Sequence, residues 1–207
     1  MKVLILGAAG RTGLLVVKKA IAAGHEVTAF VRQEDDRDGI DTHVTMCIGD
    51  ARSEEDLTRA LIGQDAVIST LGPTKPGDTV ISVATALLIK VARRYKVKRV
   101  IMMSSFLAID RFKPNPIVKF ALKLMNGIVS HFISAEKQFE VSGLDYTVVY
   151  ATRLTNTPLH LPQYRVVPIN ETVGAGDHIS RANVAEFLVQ QVTDTTYSHS
   201  TALITDK

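Results

Sequence analysis

Lys2-Val3-Leu4-Ile5-Leu6-Gly7-Ala8-Ala9-Gly10-Arg11-Thr12-Gly13-Leu14-Leu15-Val16-Val17 is the stretch that decides how this chain folds. Val3 to Leu6 is a short apolar run without polar alternation, which predicts a strand buried on both faces, as in a parallel sheet. Glycines at 7, 10 and 13 follow at once. From Thr12 to Ala23 the apolar residues recur at helical spacing, Val17 and Ile21 among them, and Gly24 is the expected stop. A strand, a glycine turn and a helix in that order leave unpaired backbone N–H groups at the positive end of a helix, where a diphosphate binds. Each glycine then has a steric role. Gly7 permits the tight turn, Gly10 lets the backbone approach phosphate, and Gly13 lets the helix pack against the sheet. Arg11 and Thr12, at the helix start, belong to the same expected phosphate site.

Outward from this unit the alternation continues. Strands are expected at Glu26 to Val31, Val44 to Ile48, Ala66 to Thr70, Arg99 to Met103, Tyr146 to Tyr150 and Thr201 to Thr205. Helices are expected at Ser53 to Ile62, with Ser53 as cap and acids in the first turn, at about Asp78 to Tyr95, in a long segment ending near Ser142, and at Arg181 to Gln191. Pro- and Gly-rich stretches separate them: Gly72 to Gly77, the segment around Pro114 and Pro116, and the stretch holding Pro158, Pro162 and Pro168. Strands alternating with helices of this length require right-handed crossovers, so the expected fold is a doubly wound, Rossmann-type parallel α/β sheet in one domain over residues 1–207.

The ends of the next strands indicate which dinucleotide is selected. NAD sites place an acid at the end of the second strand, to accept bonds from the ribose 2′-OH. Here the strand ends Phe30-Val31-Arg32. Arg32, helped by Arg11, offers charge-assisted bonds to a 2′-phosphate, so NADP is expected rather than NAD; the plainer alternative is two solvated arginines. Asp50 and Ala51 close the third strand and Leu71 and Gly72 the fourth, all on the carboxyl edge where ligands bind in such sheets. Asp50 either accepts the adenine amino group or caps the following turn.

Composition sets limits. Of 207 residues 46% are apolar and 22% charged, enough for a sizeable core and unlike a disordered chain. No apolar stretch approaches the roughly 20 residues that span a bilayer. The N-terminus runs into the glycine loop without a cleavage site. The net charge of +3 is dispersed along the chain, which argues against a nucleic-acid partner. The lone Cys47 rules out an internal disulfide and reads as a buried thiol, in keeping with a cytoplasmic location. No metal site is expected, and a monomer or small homo-oligomer fits the length.

The glycine spacing, Arg32, Gly49-Asp50, Gly63-Gln64-Asp65-Ala66-Val67-Ile68, Ser104-Ser105 and Ser142-Gly143-Leu144-Asp145-Tyr146-Thr147 together resemble the atypical short-chain dehydrogenases, over nearly the whole chain. The short C-terminal part, with Asp177-His178-Ile179-Ser180-Arg181-Ala182-Asn183-Val184-Ala185, is most similar to the NAD(P)-binding group containing biliverdin reductase B, also called flavin reductase. Typical short-chain dehydrogenases use Tyr-x-x-x-Lys, in which the lysine lowers the tyrosine pKa for proton exchange with a carbonyl. Lys137 matches that lysine, but the tyrosine position holds Ile133. Isoleucine donates no proton, so the departure weighs against carbonyl–alcohol chemistry and leaves hydride transfer to a planar acceptor open.

The resemblance implies an NADPH-dependent reductase acting on a flavin, a quinone or a biliverdin-like tetrapyrrole, or else a non-catalytic NADP-binding redox sensor of NmrA type. It places Ser104 and Ser105 over the nicotinamide, with Ser105 the better catalytic candidate and Ser104 beside the cofactor. It also gives Lys137 the nicotinamide ribose hydroxyls. Glu136 reads as solvated and His131 as structural. The acceptor cleft is expected from segments 104–130 and 151–180, with Arg153, Leu154 and Thr155 as its far wall. Phe106, Phe112, Phe120 and Met125 are either a stacking surface or core.

Overall fold

The computed structural model describes residues 1–37, 39–75, 77–109, 126–157, 163–168 and 170–206. One eight-stranded sheet carries the molecule. Its strands are β1 (Lys2–Leu6), β2 (Glu26–Val31), β3 (Thr45–Ile48), β4 (Ala66–Ser69), β5 (Arg99–Ser105), β6 (Tyr146–Ala151), β8 (Tyr164–Val166) and β10 (Ser200–Asp206). The short strands β7 (Arg153–Thr155) and β9 (His178–Ser180) form a separate parallel pair. Across the main sheet the order is β3-β2-β1-β4-β5-β6-β10-β8. Every pairing in it is parallel except β10 with β8, so the sheet is not wholly parallel as expected.

Helices cover both faces: α1 (Arg11–Ala22), α2 (Glu54–Leu61), α3 (Val80–Arg94), α4 (Asn126–Glu140) and α5 (Arg181–Gln190). Alternation along the strands splits the core in two. Leu4, Leu6, Val67, Val100, Met102 and Val148 pack with α2, α3 and α4. Val3, Ile5, Ile68, Ile101 and Val149 pack with α1 and α5. Leu4, Ile5, Val67 and Ile68 are all fully buried, which is why these strands read as unbroken apolar runs. β3 is the edge strand and departs from that rule, Thr45 and Ile48 being exposed. Cys47 on it is half-buried rather than buried as expected, because an edge strand is covered less fully, and burial pushes its thiol pKa up.

The helix signals work as the side chains require. Ser53 accepts from the Asp56 amide at 3.2 Å and starts α2, and Ser180 accepts from the Asn183 amide at 3.1 Å and starts α5. Gly24 ends α1 with φ +78°. β1 and β4 are neighbours, and from them the chain order runs outward in opposite directions. That reversal opens a crevice at the carboxyl ends of β1, β2 and β4.

Candidate functional site

The loop between β1 and α1 is built without room for side chains. Gly7 sits at φ +78°, a conformation that favours glycine, and a Cβ there would meet Thr70 Oγ1 at 3.0 Å. Thr70 holds the turn from below, its hydroxyl donating to the carbonyl oxygens of Leu6 and Gly7 at 3.1 and 3.2 Å. The Gly10 amide closes the turn on the Gly7 oxygen at 3.0 Å. Gly10 also takes the cap position of α1 without a side-chain cap, so the first amides of the helix are not blocked by one. Gly13 serves a different contact from the one expected. A Cβ on it would lie 2.1 Å from the Gly7 oxygen and 2.9 Å from Ala8 Cα, so this glycine lets the helix close on its own loop.

A cleft of about 400 Å³ opens from this loop along the ends of β2, β3 and β4. Gly7, Gly10, Arg32, Asp50, Ala51, Leu71 and Gly72, all expected at the cofactor site, are among the residues that line it. Arg11, Thr12 and Gly13 do not; Thr12 is buried and Arg11 is exposed. The charge of Arg11 is felt by Arg181, since α1 packs against α5. Arg32 is exposed and makes no ion pair among the described residues.

Five more lining residues carry charge or hydroxyls that sequence reasoning did not single out: Asp36, Arg52, Thr74, Lys75 and Asp78. Asp36 folds back so that its carboxylate accepts from the amides of Arg32 and Gln33 at 3.2 and 3.3 Å. Asp78 is buried and accepts from the Thr74 amide, the Thr74 hydroxyl and the Val80 amide, each at 3.0 Å. These bonds, the Thr74 amide first, hold its carboxyl below the usual range and fix the loop against α3. Its spacing to Val80 is a readable helix-start signal; Asp36 gave none.

Asp50 takes the capping role. Its Oδ1 accepts from the Arg52 amide at 2.9 Å, and its carboxylate grips the Arg52 guanidinium at 3.0, 3.2 and 2.7 Å. The Arg52 side-chain bonds hold the Asp50 carboxyl low. Asp56 anchors the same turn by accepting from the Asp50 amide at 2.9 Å. The turn is tight because Gly49 leaves only 2.7 Å between a Cβ of its own and Asp56 Cβ.

β5 delivers Ser104 and Ser105 to opposite faces of the sheet, and neither is among the residues that line the cleft. Ser104 is 2% exposed and its hydroxyl has no partner among the described residues. Ser105 accepts from the Leu107 amide at 3.3 Å, which starts a short 3₁₀ turn (Phe106–Ala108) and leaves its own hydrogen free to donate. Lys137 is exposed on the outer face of α4, in a second groove with Ile133 and Ser134 that shares no described residue with the main cleft. Glu136 is not a solvated side chain as expected: it accepts a hydrogen bond from the buried Tyr150 hydroxyl. His131 has a structural partner, its Nδ1 lying 2.8 Å from Ser82 Oγ. Phe106 is core, whereas Phe112, Phe120, Met125, Pro114, Pro116, Pro158 and Pro162 lie outside the described residues. Arg153, Leu154 and Thr155 form β7, which follows β6 directly and pairs with β9.

A dinucleotide fits this loop, which has the close backbone approach that a diphosphate needs, since side chains at 7 and 13 would collide with backbone or Thr70.

Among the described residues no group of acids, histidines or cysteines is placed to hold a metal, and no helix is long and apolar enough to cross a membrane. The chain is 33% identical over 117 residues to sterol demethylase protein B of Methylococcus capsulatus, a match covering 53% of this chain and only 36% of that protein's length. ChuY, an anaerobillin reductase from Escherichia coli O157:H7, shares the fold with TM-score 0.82 at 19% identity, covering 100% of this chain and 97% of its own. A short-chain dehydrogenase/reductase from Veillonella parvula DSM 2008, in complex with NADP, does so with TM-score 0.76 at 22% identity, covering 98% and 93%. The NAD(P)H-binding family matches residues 7–195, from the first glycine of the loop to beyond α5. The sheet order, the glycine cradle and this match over nearly the whole chain agree: the protein belongs to the NAD(P)H-binding family.

Proposed function

We propose that the protein is an NADPH-dependent reductase that passes hydride to a planar acceptor, a flavin, a quinone or a biliverdin-like tetrapyrrole. The observation that carries this reading is an intact dinucleotide cradle combined with Ile133 where carbonyl-reducing relatives hold tyrosine. The amides of the 7–13 loop would hold the diphosphate, and Arg32 the 2′-phosphate. Asp36 stands beside Arg32, but its Oδ2 already takes two backbone amides, which leaves the exposed guanidinium as the group that meets the adenosine ribose. Ser105, with a free hydroxyl hydrogen, would orient the nicotinamide amide or the acceptor. Bound NADPH would supply the hydride, and a solvent proton would complete the reduction, so no tyrosine is required. NADP in the Veillonella protein and the anaerobillin reductase name of ChuY support the choice of cofactor and of a flat acceptor. Steady-state NADPH oxidation with a panel of flavins, quinones and biliverdin tests it. Turnover with at least one is expected; none with any would contradict it.

A second reading, a non-catalytic NADP-binding sensor of NmrA type, draws on the same isoleucine. It requires a protein partner whose association changes with NADP, and pull-downs with and without the nucleotide that recover no specific partner remove its basis.

A further inference from the structure

Arg181 is half-buried at the start of α5, and among the described residues no carboxylate lies within ion-pairing distance of it or of Arg11. Among the described residues its guanidinium has one hydrogen-bond partner for its five N–H donors, the Asn156 side-chain oxygen at 2.6 Å. Arg11 is the first residue of α1, which packs against α5, and its charge reaches Arg181. Burial, and after it the charge of Arg11, make Arg181 easier to deprotonate than an ordinary arginine. A half-buried guanidinium facing a like charge is costly unless an anion joins them. The Asn156 bond fixes where that charge points. Asn156 follows β7, which leaves the end of β6, and β7 pairs with the β9 strand that leads into Arg181. Arg181 therefore starts beyond the end of β6, several strands along the sheet from Arg32 at the end of β2, and neither it nor Arg11 is among the residues that line the cleft.

We propose that Arg11 and Arg181, the latter aimed by Asn156, bind an acidic group, phosphate or carboxylate, carried by the hydride acceptor. This rests on the reductase reading for the identity of the ligand, but its test does not need turnover. The protein saturated with NADP⁺ is titrated with riboflavin and with FMN, which differ by one phosphate, and binding is followed by flavin fluorescence. Wild type is expected to bind FMN the more tightly. Arg181→Gln should lose about tenfold of FMN affinity, the worth of one charge-assisted bond, while riboflavin and NADPH affinities hold. Arg181→Lys should recover part of the loss, and thermal melting shows whether the variants are folded. Equal loss for both flavins, weaker NADPH binding in place of weaker FMN binding, or a wild type that does not distinguish the flavins overturns the proposal. FMN binding through Arg181, with no NADPH oxidation by any flavin, quinone or biliverdin of the panel, would instead sink the reductase reading and leave this anion site standing.

Discussion

The carbonyl oxygen of Gly7 lies 2.1 Å from the place a Cβ on Gly13 would occupy. No side-chain rotation relieves such a contact, because both partners are backbone. Gly13→Ala must therefore push the loop off the helix, at a cost of about 1–3 kcal/mol or more in stability. Urea unfolding should show that loss, and NADPH affinity should fall with it. Gly127→Ala is the matched control, since a Cβ there meets nothing within 4 Å among the described residues, in a helix that gains from alanine. A stable Gly13→Ala protein with normal affinity would mean that the loop is not the rigid cradle described.

Arg32 and Asp36 share one corner of the cleft, and they favour opposite dinucleotides. Arg32→Asp places a second carboxylate where the 2′-phosphate is expected, so NADP affinity should drop by about ten- to a hundredfold and NAD affinity far less. Parallel titrations with the two cofactors measure the difference. Equal changes would remove Arg32 from cofactor selection.

Asp78 ties the loop after β4 to the start of α3, and its pKa in the folded protein is lowered, chiefly by the Thr74 amide. A depressed carboxyl stabilises the fold at every pH above its unfolded value near ~3.9 and loses that contribution as pH falls through the lower folded value. Wild-type stability should thus decline below about pH 4, while Asp78→Asn declines less in that window. At neutral pH Asp78→Asn should be less stable by about 1.5–3 kcal/mol, the range for hydrogen bonds to a charged group. Urea midpoints measured across pH check both halves of the prediction.

Ser105→Ala removes a hydroxyl that can donate toward the ligand while its oxygen caps the 3₁₀ turn. If the reductase reading holds, kcat should fall about tenfold, roughly 1.4 kcal/mol of barrier, with NADPH affinity unchanged. A fall in affinity with kcat preserved would make Ser105 a cofactor-binding residue only.

Much of this was legible in the sequence because it is local. Val3 to Leu6 beside Gly7, Gly10 and Gly13 announces a buried strand and a bare helix start within a dozen residues, and Ser53 announces its own helix. What escaped depends on distant partners. β8 exists because Tyr164 to Val166 pairs with a strand some forty residues on, and β7 exists only through β9. The carboxylate of Asp36 reaches the end of β2 only after the chain turns back on itself. Nearness in the loop suggests Arg11 as an ally of Arg32, and only the docking of α1 on α5 reveals that its charge also reaches Arg181. Tyr150 and Glu136 show the same limit, since a strand and a helix must dock before that hydrogen bond can form.

Isothermal calorimetry on the wild-type protein with NADPH and NADH tests the central claim most directly. Binding of both through the shared diphosphate is expected, with NADPH the tighter by about tenfold or more through Arg32. No heat with either on folded protein, or identical curves for the two, would contradict it.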